Sequence, residues 1–244
     1  ILKSPLPFHR KNFEEKGDTF RLNIGLTRSV IFSRDAGLVE YVLQQNQKNY
    51  VKSEIQTKDL VKYIGKGLLT SEGEHWRKQR KLIQPAFHKK QLANLLHSIR
   101  QATLSEYQKI TLGKEVDIFP IFNDLAFQTV VKSLFSSAAN EKEISRLQYI
   151  TEEAQKMLVK ELRQPYLGWW FWLSGKIDSY LKLTAEARNI LKKMVQERKD
   201  SRQRHGDLLD MLLEARYDNG NLMDEEQLID EILILFTAGH ETTS

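Results

Sequence analysis

The 244 residues contain no cysteine. That absence excludes disulfides, Cys-rich zinc sites, iron–sulfur clusters, a cysteine nucleophile and any thiolate metal ligand that must come from this chain. Glycine (12) and proline (5) are sparse, which argues against a turn-rich sandwich or barrel and for a mainly helical chain. No stretch approaches the ~18 consecutive apolar residues of a membrane helix; the longest candidates are Tyr166 to Leu173 and Ile232 to Ala238. The chain starts at Ile1 with no basic stretch leading into an apolar one. The expected setting is cytoplasmic, and an N-terminal anchor absent from this chain stays open. Lysine and arginine (37) slightly outnumber aspartate and glutamate (32), giving a net charge of +5 spread along the length. That balance points to solubility more than to nucleic-acid binding. With 41% hydrophobic and 28% charged residues, there is material for one large domain or two small ones.

Along the chain, Phe8 to Lys16 is weakly helical. Thr19 to Asn23 and Arg28 to Ser33 alternate around Gly25 as a hairpin, and Asp35 is placed to N-cap a helix bearing Leu38, Val39, Val42 and Leu43. Residues 51–73 read as a long irregular connection. Helix resumes from Glu74 to Ile83, breaks at Pro85 and continues from Lys89 to about Lys109. A short strand is expected at Glu115 to Ile118. Asp117 or Pro120 then opens a helix burying Leu125, Ala126, Thr129, Val130 and Leu134. Helical patterns also span Glu141 to Arg163, Asp178 to Arg204, Gly206 to Asp218 and Asp224 to Ser244. The last meets no stop signal, and the expectation is a chain cut inside a helix.

Two clusters can carry chemistry. Ala238-Gly239-His240-Glu241-Thr242-Thr243 follows the apolar run Ile232 to Phe236. A helical glycine costs about 1 kcal/mol, and a threonine hydroxyl can bond the preceding turn. A bent helix holding a water beside an acid and an alcohol, and a fraying end with solvated side chains, are equally consistent with these residues. A zinc-protease reading fails because Ser244 stands where the second histidine is needed. Trp76 and Arg80 lie four apart on one helix face, before Pro85-Ala86-Phe87. Both side chains only donate, so together they can present hydrogen bonds to one anion; a core Trp beside a surface Arg is the plainer alternative. The nearby Arg77, Lys78, Lys81, Lys89 and Lys90 read as a solvated basic face, since no aromatic platform interleaves them.

In order along nearly the whole chain, the hairpin and helix, Trp76-x-x-x-Arg80 with Pro85-Ala86-Phe87, Asp207-Leu208-Leu209-Asp210 and the Ala238-Gly239-His240-Glu241-Thr242-Thr243 motif resemble the cytochrome P450 family of haem-thiolate monooxygenases. The resemblance implies a mainly α fold with a small N-terminal β-sheet, present here as one incomplete P450 domain over residues 1–244. It implies that Trp76 and Arg80 donate to a propionate of haem (heme, iron protoporphyrin IX), and that Ala238 and Gly239 pack on the distal haem face. Glu241 and Thr242 would be the catalytic acid–alcohol pair relaying protons to dioxygen, so that its O–O bond breaks to water instead of leaking peroxide. Ile234 and Thr237 would line the substrate side, with Leu68 and Leu69 as weaker candidates for substrate or haem contact.

The family's Glu-x-x-Arg motif and cysteine loop follow the Thr-bearing helix, so the resemblance covers an N-terminal half; no metal ligand is assigned within this chain. Glu143-Ile144-Ser145-Arg146 fits the first pattern on the wrong side of the Ala-Gly motif and receives no role. The implied activity is insertion of one oxygen atom of dioxygen into a hydrophobic small-molecule substrate, a long-chain fatty acid or an alkane. Electrons would come from a separate ferredoxin or flavoprotein reductase. The rival is a non-catalytic truncated remnant or helical interaction module. Tyr166 to Leu173 carries three of the four tryptophans; by the resemblance it lies in a lid, where packing is the expected fate and membrane contact the minority reading. With Ile232 to Phe236 expected to be uncovered, the isolated chain is expected to aggregate or stay molten.

Overall fold

Aromatic side chains organise the N-terminal part. In the computed structural model, which describes residues 5–24, 28–136, 140–164 and 167–241, the chain divides into two compact units, Ile1–Lys52 and Ser53–Ser244. In the first, α1 (Leu6–Lys16) precedes β1 (Thr19–Ile24) and β2 (Arg28–Ser33), paired antiparallel with Phe20 opposite Phe32. Phe20 is buried, stacked on Phe32 at 5.3 Å and edge-on to Phe13 at 5.0 Å. The turn expected at Gly25 lies outside the described residues. Asp35 caps as its position suggests, its Oδ1 accepting the Gly37 and Leu38 N–H groups at 2.7 and 3.2 Å. The helix behind it, α2 (Ala36–Glu40), widens into a π-turn at Tyr41–Gln45. Val39 and Leu43 of the expected apolar stripe are exposed.

The second unit is helical. Its elements are α3 (Val61–Ile64), α4 (Gly73–Ile83), α5 (Lys89–Tyr107), α6 (Ile118–Phe135), α7 (Glu141–Arg163), α8 (Gly168–Leu173), α9 (Lys176–Ser201), α10 (Leu208–Glu214) and α11 (Glu225–Glu241). The main core joins Phe127, Val131, Leu134 and Phe135 of α6 to Leu191 and Val195 of α9, Leu209 and Leu212 of α10, and Ile229, Ile232 and Phe236 of α11. Phe236 lies against Phe127 and Phe135, with ring centroids 5.8 and 5.7 Å away. Each such buried side chain stabilises the fold by roughly 1.5–3 kcal/mol. A second cluster gathers Tyr63, Ile64, Met157, Phe171 and Ile234. Beside it, the Tyr63 hydroxyl donates to Glu161 Oε2 at 2.8 Å and Lys62 pairs with Oε1 at 2.8 Å. Burial first, and then that carboxylate, push the Tyr63 hydroxyl above the ordinary tyrosine range.

Several expectations change. No strand forms at 115–118: residues 115–117 are irregular, because Asp117 spends its carboxylate on the Phe119 N–H at 3.0 Å and starts α6. The buried stripe of α6 runs through Phe127 and Val131, whereas Leu125, Thr129 and Val130 are only partly buried. Residues 51–73 contain a π-turn at Ile55–Asp59 and α3. Arg146 pairs bidentately with Glu186 at 2.7 Å through both Nε and Nη2, and Glu143 pairs with Lys193. The run Ile232 to Phe236 is covered, with Ile232 and Phe236 almost fully buried, since α6 and α9 pack on it. Among the described residues no helix is long and apolar enough to cross a membrane.

Candidate functional site

α4 owes its two faces to helical spacing. Gln79, Leu82 and Ile83 are buried, while Trp76 is half-buried and Arg80 exposed. Ile83 and the following Ala86 join the core cluster that holds Ile232, Leu233 and Phe236, which ties α4 to α11. On its outer face the Arg80 guanidinium carbon lies 5.3 Å from the Trp76 ring centroid. A cation–π contact of this kind holds a guanidinium over the ring by electrostatic attraction, and its N–H groups can still reach an anion. The pair borders a concavity of about 350 Å³ lined also by Arg77, Lys81, Gln84, Pro85 and His88. This lining holds Arg77, Arg80 and Lys81 and no carboxylate; with the Lys81 charge offset by Asp218 at 2.7 Å, the two arginines leave a local field that favours a bound anion. A larger cleft of about 940 Å³ runs along the neighbouring face of α4 toward Met211, Leu212 and Tyr217, and neither Trp76 nor Arg80 lines it.

The expected solvated basic face is paired on part of its length. Lys78 meets Glu74 at 2.9 Å and Lys81 meets Asp218 at 2.7 Å. Lys78, as the partner, holds the Glu74 carboxyl below its ordinary value.

On α11, Ile234 and Thr237 are three apart and both buried, so they share one helix face. Leu69 packs against the cluster containing Ile234, and Leu68 against the main core. The structure brings the Leu68 backbone to α11, where its N–H donates to Glu231 Oε2 at 3.0 Å, and sends the Leu68 and Leu69 side chains to different clusters. Ala238 and Gly239 are half-buried. A Cβ on Gly239 would stand 2.4 Å from Val130 Cγ2, so the glycine serves the close packing of α11 on α6. His240 is buried, edge-on to the Phe127 ring at 5.5 Å. Glu241 ends α11; its side chain, and Thr242 entirely, lie outside the described residues.

Three features had no signal in isolated residue types. Arg198 is buried and donates to Asp207 Oδ1 at 2.8 Å, Asp210 Oδ1 at 2.6 Å and the Phe135 carbonyl at 3.3 Å. Burial alone would raise the Asp210 carboxyl. Hydrogen bonds from Arg198 and from the His205 and Gly206 N–H groups outweigh it and hold the group below its ordinary value. Glu231 and Asp230 secure the segment at 65–71, and Arg188 binds both Asp230 and Glu226. The Asp207-to-Asp210 spacing was visible in the sequence, but its cation sits on another helix. Contrary to expectation, Trp169 and Trp172 are 65% and 69% exposed and only Phe171 is buried: a six-residue helix has room to bury one side chain against its support.

The haem group fits the chemistry of the residues present. Indole and guanidinium donors in a cation-lined, carboxylate-free hollow suit a propionate. Among the described residues no cluster of three His, Asp or Glu side chains could hold a metal ion. With no cysteine in the chain, a thiolate ligand would have to come from outside these residues.

Known proteins agree with this architecture. The cyclooctat-9-en-7-ol 5-monooxygenase of Streptomyces melanosporofaciens is 28% identical over all of this chain and 52% of its own length. Cytochrome P450 72A15 of Arabidopsis thaliana is 27% identical over 84% of this chain and 42% of its own length. The chain thus spans about half the length of these curated relatives. Among solved structures, a retinoic acid-bound cyanobacterial CYP120A1 superposes with a TM-score of 0.75 at 22% identity, covering 96% of this chain and 52% of that one. The haem domain of cytochrome P450DA superposes at 0.79 with 20% identity, over 97% of this chain and 52% of that one. These two likenesses concern the fold. The family model for cytochrome P450 matches residues 3–244, and the chain belongs to the cytochrome P450 family.

Proposed function

We propose that this chain supplies the distal wall and one propionate anchor of a haem-dependent monooxygenase that inserts one oxygen atom of dioxygen into a hydrophobic substrate. The observation that carries the reading is the Trp76–Arg80 pair, in cation–π contact on the outer face of α4 above a hollow lined by cations. When bound, haem supplies dioxygen activation and the electron path from a separate ferredoxin or flavoprotein reductase. The protein's own part is positioning and proton handling. Trp76 Nε1–H and the Arg80 N–H edge hold an anionic group; Ala238, with Gly239 drawn onto α6, keeps the wall of α11 low. Leu68, Leu69, Ile234 and Thr237 form an apolar flank that excludes water from the substrate. Glu241 and Thr242 pass on the two protons that the reaction consumes for each oxygen atom released as water, the carboxyl as their source and the hydroxyl as their relay. The flank at Leu68, Leu69 and Ile234 offers shape and no charge, which suits a fatty-acid chain or an alkane.

Haem titration of the purified chain tests this reading, followed by the absorbance of the bound pigment. Trp76→Phe and Arg80→Leu are each expected to weaken haem retention about tenfold, in line with the loss of one charge-assisted hydrogen bond. Retention unchanged in both variants would reject the anchor.

A further inference from the structure

The segment at 65–71 is fastened to α11 by side chains. Glu231 is 1% exposed. Its Oε2 accepts the Leu68 N–H at 3.0 Å and its Oε1 accepts from Gln227 Nε2 at 3.0 Å. The same Gln227 amide donates to the Lys66 carbonyl at 2.9 Å, and Asp230 Oδ2 accepts the Lys66 N–H at 2.8 Å. The approach is so close that a Cβ on Gly67 would stand 2.6 Å from Glu231 Oε2 and 2.7 Å from Ile234 Cδ1. Within the segment, the Thr70 and Ser71 hydroxyls donate to the Gly65 and Gly67 carbonyls at 2.7 and 2.8 Å.

A carboxylate in such a place needs a reason, because burying a charge costs several kcal/mol unless donors surround it. An apolar side chain would fill the same volume without that cost, but it could not accept the Leu68 N–H. What the carboxylate adds is geometric. It fixes the backbone at Leu68, from which Leu68 turns into the main core and Leu69 into the cluster of Ile234.

We propose that Glu231 is a positioning residue, a buried latch that sets how closely the wall formed by the 65–71 segment stands over α11 at Ile234 and so the size of apolar ligand accepted beside it. The size-selecting role rests on the haem reading above; the latch itself does not.

Two measurements separate them. In the haem-loaded protein, imidazole and 4-phenylimidazole are titrated and followed by the shift of the Soret band, for the wild type, Glu231→Met, which cannot accept the Leu68 N–H through oxygen, and Gly67→Ala. Both variants are expected to weaken 4-phenylimidazole about tenfold and to leave imidazole within about twofold, since only the larger ring reaches the wall. Equal weakening of both ligands, or of neither, overturns the size-selecting role. Hydrogen exchange of the chain without haem reads the latch directly. The Leu68 amide is expected to exchange at least about tenfold faster in Glu231→Met while the amides of α6 stay unchanged. An unaltered Leu68 rate, or a uniform rise across the unit, overturns the latch. Should imidazole fail to move the Soret band of the wild type, the haem reading falls and the size-selecting role with it, whereas the exchange rates still decide the latch.

Discussion

Moving Arg198 out of water is tolerable only because Asp207, Asp210 and the Phe135 carbonyl all accept from it. Removing one acceptor leaves charge stranded, so Asp210→Asn is expected to destabilise the fold by about 3 kcal/mol in denaturant unfolding. The pH dependence has a definite sign. The folded Asp210 carboxyl lies below its ordinary value, so its contribution is complete above the unfolded carboxylate pKa of ~3.9 and is lost as pH falls through the folded one. Asp210→Asn should therefore flatten the acid limb of the stability curve; an unchanged limb would contradict the assignment. Gly239 makes an opposite kind of demand. Alanine there gains about 1 kcal/mol of helix propensity, but its Cβ overlaps Val130, and overpacking costs about 1–3 kcal/mol. Gly239→Ala is expected to lower the thermal midpoint, and Val130→Ala in the same chain to restore part of the loss. Additive single and double variants would show that the two residues do not meet.

At the scale of elements, α8 divides its side chains sharply. Phe171 belongs to the second cluster, and Trp169, Trp170 and Trp172 stand exposed. Phe171→Ala is expected to cost about 3–5 kcal/mol, whereas Trp169→Ser and Trp172→Ser should stay within about 0.5 kcal/mol of the parent. Comparable losses at all three positions would mean that the tryptophans are packed after all. Caps were legible because they are local: Asp35 and Asp117 each accept a nearby backbone N–H, as their positions imply. The false strand at 115–118 came from the alternation of a few residues, and the capping carboxylate of Asp117 overrode it. Long-range pairings were not legible. Nothing in Leu68 names Glu231, 163 positions away, and Arg198 finds Asp210 only once α9 and α10 pack. For the site, the pairing of Trp76 with Arg80 follows from helical spacing, whereas Ile234 and Thr237 are singled out only by the family resemblance. The approach of Gly67 to Ile234 and of Gly239 to Val130 depends on how distant elements pack.

For the whole molecule, α6 and α11 form the centre of the helical unit. They bury Phe127, Phe135 and Phe236 against one another, bring the Gly239 end of α11 to Val130, and share a core with Ile83 and Ala86 behind the Trp76–Arg80 face. Leu92 and Leu96 of α5 and Ile118, Phe119 and Phe122 of α6 are exposed. One side of α4 thus offers cationic donors and one stretch of α11 offers apolar side chains, from a single packed unit. The most direct measurement is an experimentally determined structure of the protein with haem bound. Trp76 Nε1 and the Arg80 guanidinium are expected within about 2.7–3.2 Å of the oxygens of one propionate, with the macrocycle between that pair and Ala238. A haem bound elsewhere, with Trp76 and Arg80 left to solvent, would contradict the central claim.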